Sequence, residues 1–194
     1  MHDIEPHYFW RDDYIASEDE NSPFYQRENS EFFFEHKIYN YLIHPQWDPI
    51  GSPTLYMKLL FADYSDGVAI MEMFGEWNDC LQNDVMFLKR NIAEPMMEKG
   101  ISRFVLICEN VLNYHGDEDC YYEEWCEETL DMGGWIALIN TLDHVGDEMK
   151  ATWLDNYISF GPHLNDLNWR KLRPAQLTQK VEMLMDEQPK RIGI

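Results

Sequence analysis

Eight carboxylates lie within residues 117–131, and no basic residue is found among them. Carboxylate oxygens can bind divalent cations, exchange protons with a substrate, or attract a basic partner. At the start of this segment the sequence His-Gly-Asp-Glu-Asp-Cys, residues 115–120, mixes nitrogen, oxygen and sulfur ligands. Oxygen ligands suit Mg²⁺ or Ca²⁺, whereas His and Cys favour softer ions, so this mixture selects neither class of metal.

Apolar runs predict strands over residues 103–109, 135–140 and 157–160, and polar residues follow each of them, in residues 109–120, 140–144 and 161–166. If these strands are parallel, the segments meet beyond the carboxyl edge of the sheet, where open α/β sheets bind ligands. No cofactor is predicted, although this pattern of side chains could bind a divalent metal. The candidate metal ligands are His115, Asp117, Asp119, Asp143 and His163. In the alternative interpretation they are loop and helix-capping residues, for which Asp119 and Asp143 are well placed.

A helix predicted over residues 119–130 would place several of the carboxylates on one face. This face is either a solvated acidic surface or a binding surface. Tryptophan is enriched in binding hot spots, and two of the seven tryptophans lie in polar or proline-adjacent contexts, so we expect this pair to be exposed. The candidate interaction residues are therefore Glu123, Glu124, Glu127, Glu128, Trp10 and Trp47.

No motif for covalent catalysis or phosphate binding is present in the sequence, which lacks GxSxG, P-loop and GxGxxG patterns. Gly133-Gly134 precedes a predicted strand, so it is interpreted as a turn. The four cysteines have neither zinc-site nor CxxC spacing, which favours free thiols in a reducing compartment.

The formal net charge of −21 over 194 residues disfavours direct contact with nucleic acid or anionic membranes and favours a basic protein partner. The 14% aromatic content indicates that most of the chain is folded. No apolar run is long enough for a membrane helix, and the first nine residues lack the features of a signal peptide, so we expect a cytoplasmic protein.

Residues 170–194 reverse the charge balance, with six basic and three acidic residues. This tail is interpreted as docking on the acidic body, or less simply as a nucleic-acid element.

From residue 54 the predicted order of elements is β-β-α-β-α-β-α-β-α, which is typical of a mostly parallel sheet flanked by helices. An Asp-Gly turn at residues 66–67 predicts an antiparallel hairpin at the edge of this sheet. Pro95 predicts a kink or restart in the first long helix. The domain organisation is an aromatic and acidic arm over residues 1–30, followed by a single α/β domain over residues 31–194. An α+β fold is the alternative, and residues 31–43 are compatible with either a strand or a helix.

The element order resembles that of small regulatory α/β domains of the anti-sigma-factor-antagonist (STAS) type. The resemblance is one of order alone. Such domains often carry a phosphorylatable serine after a central strand, and residues 109–115 contain no serine.

These observations leave three hypotheses for function. The first is a non-enzymatic binding or regulatory module for a basic protein partner, and it is the one we adopt. The second is a metal-dependent hydrolase using the carboxylate and histidine residues at the strand ends. The third is a nucleic-acid mimic, in which carboxylates imitate phosphates. Exchange of the aromatic N-terminal arm between protomers would also allow a homodimer.

Overall fold

The computed structural model describes residues 2–187, and the last part of the basic tail lies outside these residues. The strands are β1 (His2–Ile4), β2 (Lys37–Ile38), β3 (Tyr41–Ile43), β4 (Asp48–Pro49), β5 (Leu55–Asp63), β6 (Val68–Asn78), β7 (Arg103–His115) and β8 (Trp135–Ile139). The α-helices are α1 (Asp79–Gln82), α2 (Asp84–Leu88), α3 (Glu94–Met97), α4 (Cys120–Asp131), α5 (Asp143–Ala151) and α6 (Pro174–Asp186).

A five-stranded sheet in the order β4-β5-β6-β7-β8 forms the centre of the molecule. The first two pairs of strands are antiparallel, and β6-β7 and β7-β8 are parallel. The hairpin predicted from Asp-Gly joins β5 to β6, and Gly67 takes a φ of 67° that favours glycine. The predicted α/β fold, with a sheet flanked by helices, is therefore confirmed, and the sheet is mixed, with two parallel and two antiparallel strand pairs.

Both faces of the sheet are buried, which explains why β7 and β8 read as nearly continuous apolar runs. Helices α2 to α5 cover one face, where Leu88, Trp125 and Val145 pack against it. Helix α6 and the start of the N-terminal arm cover the other face, with Leu177 and Trp10 in its core, whereas Ala16 and Phe24 of the arm pack into the core of the first face. The arm is thus part of the folded layer structure.

Residues 31–43 adopt neither a helix nor a strand of the central sheet. Two short strands, β2 and β3, pair with each other and with β1 in a separate three-stranded sheet. Ile38 and Ile43 are buried there against Trp47 and Phe74. The apolar residues that made the sequence ambiguous therefore anchor a small sheet at one end of the molecule.

The helix restart predicted at Pro95 is confirmed. Proline has no backbone N–H, so it cannot continue the α-helical hydrogen-bond ladder. One π-helical turn over Lys89–Ala93 separates α2 from α3. In this turn the backbone N–H of Glu94 donates to the carbonyl of Lys89.

Two predicted boundaries are wrong. Strand β7 continues to His115 instead of ending at Glu109, because β6 is also longer and pairs with it as far as Asn78. Residues 157–160 were expected to form a strand but make only one bridge, between Ser159 and Ala137. A 3-10 turn immediately before this segment and Gly161 immediately after it leave little extended chain for pairing.

The expected exposure of Trp10 and Trp47 is wrong as well, since these side chains are 4% and 2% exposed. The indole N–H of Trp10 donates to the carbonyl of Leu172, and that of Trp47 donates to the carbonyl of Ile4. The indole N–H of each tryptophan is hydrogen-bonded within the protein, so a polar sequence context did not mean a surface position.

Within residues 2–187, no helix is both long enough and apolar enough to cross a membrane.

Candidate interaction surface

An acidic strip runs along α4 and the loop before it. Glu123, Glu127 and Asp131 are spaced four residues apart, so they follow one another along the same side of the helix. All are exposed, as are two acidic loop residues, Asp117 and Glu118. None of the five has a Lys or Arg partner within 4.0 Å among residues 2–187.

Two other predicted interaction residues, Glu124 and Glu128, are already engaged inside the molecule. Lys89, whose side chain is fully buried, places its Nζ 3.2 Å from Glu124 and 3.0 Å from Glu128. Its third partner is Glu94, at 2.6 Å. Burial works against the charged ammonium, but hydrogen bonds to the three glutamates outweigh burial and raise the pKa of Lys89. The acidic helix therefore has one side that binds an internal cation and one that faces solvent.

Seven of the 13 Lys and Arg residues in the described chain are used in ion pairs of this internal kind. The side chains that contact carboxylates elsewhere in the described chain are those of Arg27, Lys58, Lys89, Arg90, Arg103, Arg170 and Arg173. Of these, Arg173 in the basic tail pairs with Asp13 in the arm, as expected if the tail docks on the acidic body. These pairs leave the negative potential of the acidic strip without compensation.

The five predicted metal ligands are not brought together as one site. No three of them place ligand atoms within 4.8 Å of one another, and the only such group of His, Cys, Asp and Glu in the described chain is Glu94, Glu124 and Glu128. The ammonium group of Lys89 lies among these three carboxylates. The one group with metal-like geometry is therefore a site for the protein's own cation.

Individually, the predicted ligands have separate environments. His115 ends β7 with its Nε2 3.6 Å from Glu76. Asp119 accepts a hydrogen bond of 2.8 Å from the hydroxyl of Tyr157. Asp143 is exposed in the first turn of α5, and half-buried His163 lies in a 3-10 turn, where burial lowers its pKa. Asp117 borders a small cleft of about 290 Å³.

The alternative capping roles of Asp119 and Asp143 are not seen either. Asp119 occupies the N-cap position of α4 but makes no side-chain capping bond. Helix α5 begins at Asp143 itself, and Leu142 holds the N-cap position. Both carboxylates still lie at helix N-termini, where the helix dipole favours negative charge.

Polar groups do converge at the carboxyl end of β8, beside the middle of β7 and β6, although the set differs from the predicted metal ligands. Glu109 on β7 accepts hydrogen bonds from Asn140, just after β8, and from the indole of Trp169. Arg170 forms an ion pair with Glu109 and stacks on Trp169, with its guanidinium 4.4 Å from the ring centre. The sequence correctly predicted that Glu109 and Asn140 lie near each other, but it missed the arginine, which comes from a turn 30 residues beyond Asn140.

Glu72 is the most deeply buried acid in this group, with 0% exposure in the middle of β6. Its Oε2 accepts a 2.8 Å hydrogen bond from the backbone N–H of His7 in the arm, and Arg170 lies 3.5 Å from its Oε1. Burial raises the pKa of Glu72 to about 7, although the bonds to His7 and Arg170 oppose that rise. The sequence signal was a lone acid in the apolar run of residues 68–74.

A cavity of about 440 Å³ lies between the N-terminal arm and β5. Trp10, Tyr14 and Phe24 supply its aromatic lining, and Lys58 and buried Asp48 supply an ion pair of 3.0 Å. This charged and aromatic lining belongs to the attachment of the arm.

A second buried acid, Asp79, lies at the start of α1. The hydroxyl of Tyr122 and the backbone N–H of Val85 donate to it, over 2.5 and 2.8 Å. Burial raises the pKa of Asp79 to about 6.

All four cysteines, which lie in the described part of the chain, are free, as predicted, and Cys108 is buried in the core.

Comparisons with known proteins add little to this picture. No protein-family model and no curated protein matches the sequence. Among solved structures, the chain is similar to a proposed anti-sigma factor antagonist from Thermotoga maritima, with a TM-score of 0.43 and 13% sequence identity. The match covers 65% of this chain and 92% of that chain. A likeness at this level supports no statement about function.

Proposed function

We propose that the protein is a non-enzymatic regulatory module that binds a basic protein partner through the acidic strip. The observation that carries this proposal is the row of exposed carboxylates at Glu123, Glu127 and Asp131, none of which has a basic partner within 4.0 Å in the described chain. Uncompensated charge of one sign on a surface speeds association with an oppositely charged partner and disfavours others.

The support beneath the strip favours a binding surface of fixed shape. Trp125 and Thr129, on the opposite side of α4, are fully buried in the core. Lys89 ties the flank of α4 to the π-helical turn through Glu124 and Glu128. Because the helix is held on two sides, little conformational entropy is lost when a partner binds.

The buried acids favour binding over catalysis. A general acid or base must come within hydrogen-bond reach of a substrate. Glu72, whose pKa burial raises to about 7, has no exposure to solvent, and both of its carboxylate oxygens contact protein atoms. This arrangement suits a structural role, in which Glu72 connects the sheet to the arm through His7 and to the turn Trp169–Lys171 through Arg170.

The proposal is tested by titrating the full-length protein with a fluorescent peptide of about 16 residues rich in Lys and Arg, at low and at physiological ionic strength. The variant Glu123→Gln/Glu127→Gln/Asp131→Asn removes three charges from the strip. We expect it to lose roughly tenfold in affinity, since each exposed charge contact contributes a few tenths of a kcal/mol to about 1 kcal/mol.

The matched control is Asp12→Asn/Glu18→Gln/Glu20→Gln, which removes three exposed charges from the arm. It should bind the peptide nearly as tightly as the wild type. Equal losses in the two variants would mean that the peptide senses net charge alone, and the strip would then not be the binding surface.

A further inference from the structure

Three consecutive phenylalanines are displayed on the surface in a loop that the acidic strip does not include. In this aromatic loop, residues 31–35, Phe32 is 80% exposed and Phe33 is 74% exposed. Phe34 is partly covered by the ring of His44, at 5.6 Å. Single exposed apolar residues are ordinary, but adjacent large ones mark interaction sites.

The aromatic loop is held in place at its N-terminal side. The hydroxyl oxygen of Ser30 accepts hydrogen bonds from the backbone N–H groups of Phe32 and Phe33, at 3.1 and 2.9 Å. The carbonyl of Ser30 in turn accepts a 3.1 Å bond from the side-chain amide of Gln46. The preceding Asn29 donates to buried Asp48 over 2.7 Å.

The C-terminal side of the loop is also anchored. The carbonyl of His36 accepts a 2.9 Å hydrogen bond from the N–H of Ile43, and pairing of Lys37 with Leu42 follows directly. The two phenyl rings are therefore presented from a short segment fixed at both ends. Such presentation lowers the entropy lost when the rings enter a partner.

Charge selects among the possible occupants of this surface. Glu31 and Glu35 flank the three phenylalanines, and both are exposed. An anionic membrane would repel these carboxylates. A second copy of a chain with a net charge of −21 would repel them as well. An apolar groove with Lys or Arg at its rim complements both the rings and the carboxylates.

We propose that the aromatic loop docks into an apolar groove of another protein, with Phe32 and Phe33 inserted and Glu31 and Glu35 paired to basic residues at the rim. This is a second interaction surface, argued from residues other than those of the acidic strip. The two phenylalanines act as the buried anchor residues of the interface. The glutamates fix the orientation of the loop in the groove and disfavour acidic competitor proteins.

The test is photo-crosslinking in the source cells. The full-length chain carries the photoreactive residue p-benzoylphenylalanine in place of Phe33, which preserves an aromatic ring at that position. The same replacement at Trp153, which is 70% exposed and has no exposed apolar neighbour in the sequence, is the matched control. We expect a discrete adduct from position 33 that is absent from position 153. Its crosslinked peptide should be apolar and should have Lys or Arg nearby in the partner.

Two further changes, made in the position-33 protein, connect the adduct to the proposed contacts. Phe32→Ser should reduce its yield at least tenfold, and Glu31→Gln/Glu35→Gln should reduce it severalfold. Because these side chains are exposed, the urea midpoint of each variant should match that of the parent. The proposal is overturned by an adduct of twice the protein's own mass, by an adduct with lipid only, by no adduct, or by a yield that these substitutions do not change.

Discussion

Glu72 and Lys89 illustrate the same physical rule with opposite charges. Each is a fully buried ionisable residue, and each has polar partners supplied by distant parts of the chain: His7 for Glu72, and Glu124 and Glu128 for Lys89. Burying a charge is costly unless it is paired and hydrogen-bonded. At the scale of single residues, these two groups attach the arm and α4 to the body, and both can be tested directly.

Glu72 should make stability fall as pH rises. Its pKa of about 7 in the folded protein exceeds the ordinary value of 4.5, so the folded state binds more protons in this range. The stabilisation is fully present below about pH 4.5 and is lost as pH rises through 7. Glu72→Gln, which stays neutral, should therefore gain roughly 3 kcal/mol relative to the wild type between pH 4.5 and 8, at 1.36 kcal/mol per pKa unit.

Urea unfolding at several pH values measures this difference. Glu20→Gln, at an exposed position, is the control for loss of one negative charge. A difference between Glu72→Gln and wild type that does not change with pH would contradict the account of Glu72.

Lys89→Met should destabilise the protein by about 2 kcal/mol, because three converging glutamates would lose their shared cation. The loss should be below that of a fully buried pair, since the glutamates reach solvent. Lys150→Met, at an exposed lysine in α5, is the control and should be near neutral. If adding Glu128→Gln to Lys89→Met recovers no stability in urea unfolding, the electrostatic explanation fails.

Sequence alone gave part of this residue-scale picture. It predicted that Glu109 and Asn140 lie near each other and that Glu124 and Glu128 lie on α4. It could not supply Arg170, His7 or Lys89 as partners, because these contacts join residues far apart in the chain. Nor could it predict that Trp10 would be buried, since its cover comes from the distant Trp169 and Leu172.

At the scale of elements, the local sequence predicted where a helix is interrupted better than it predicted where a strand ends. Pro95 correctly predicted a helix restart, because a missing N–H acts on its own helix. The end of β7 was wrong, because the length of a strand depends on its neighbour, and β6 continues to Asn78. Residues 31–43 were ambiguous, since their partners Ile4 and Trp47 lie outside the segment.

The turn between α4 and β8 allows a test with adjacent glycines. A Cβ on Gly134 would lie 1.8 Å from the backbone oxygen of Ser102. Relieving this clash would force apart the residues that begin β7 and β8. We expect Gly134→Ala to cost about 3 kcal/mol or more. Gly133 has open space but a φ of 75°, so Gly133→Ala should cost about 1–2 kcal/mol. Urea unfolding that ranks the two variants in the reverse order would contradict this packing.

At the scale of the whole molecule, the net charge of −21 should oppose folding through self-repulsion. Screening weakens this repulsion, because the Debye length falls from about 30 Å at 0.01 M salt to about 8 Å at 0.15 M. The urea midpoint at pH 8 should therefore rise when NaCl is raised over this range. An unchanged or lower midpoint would mean that the internal ion pairs outweigh the repulsion.

The central claim is that the acidic strip is the surface left free for a basic partner. The most direct test is an NMR titration of the ¹⁵N-labelled full-length protein with the Lys- and Arg-rich peptide at physiological ionic strength. We predict that amide shift changes concentrate in residues 117–131 and leave the acidic residues of the arm, 12–20, little affected. Changes spread evenly over all exposed acidic segments, or centred on the arm, would contradict the claim.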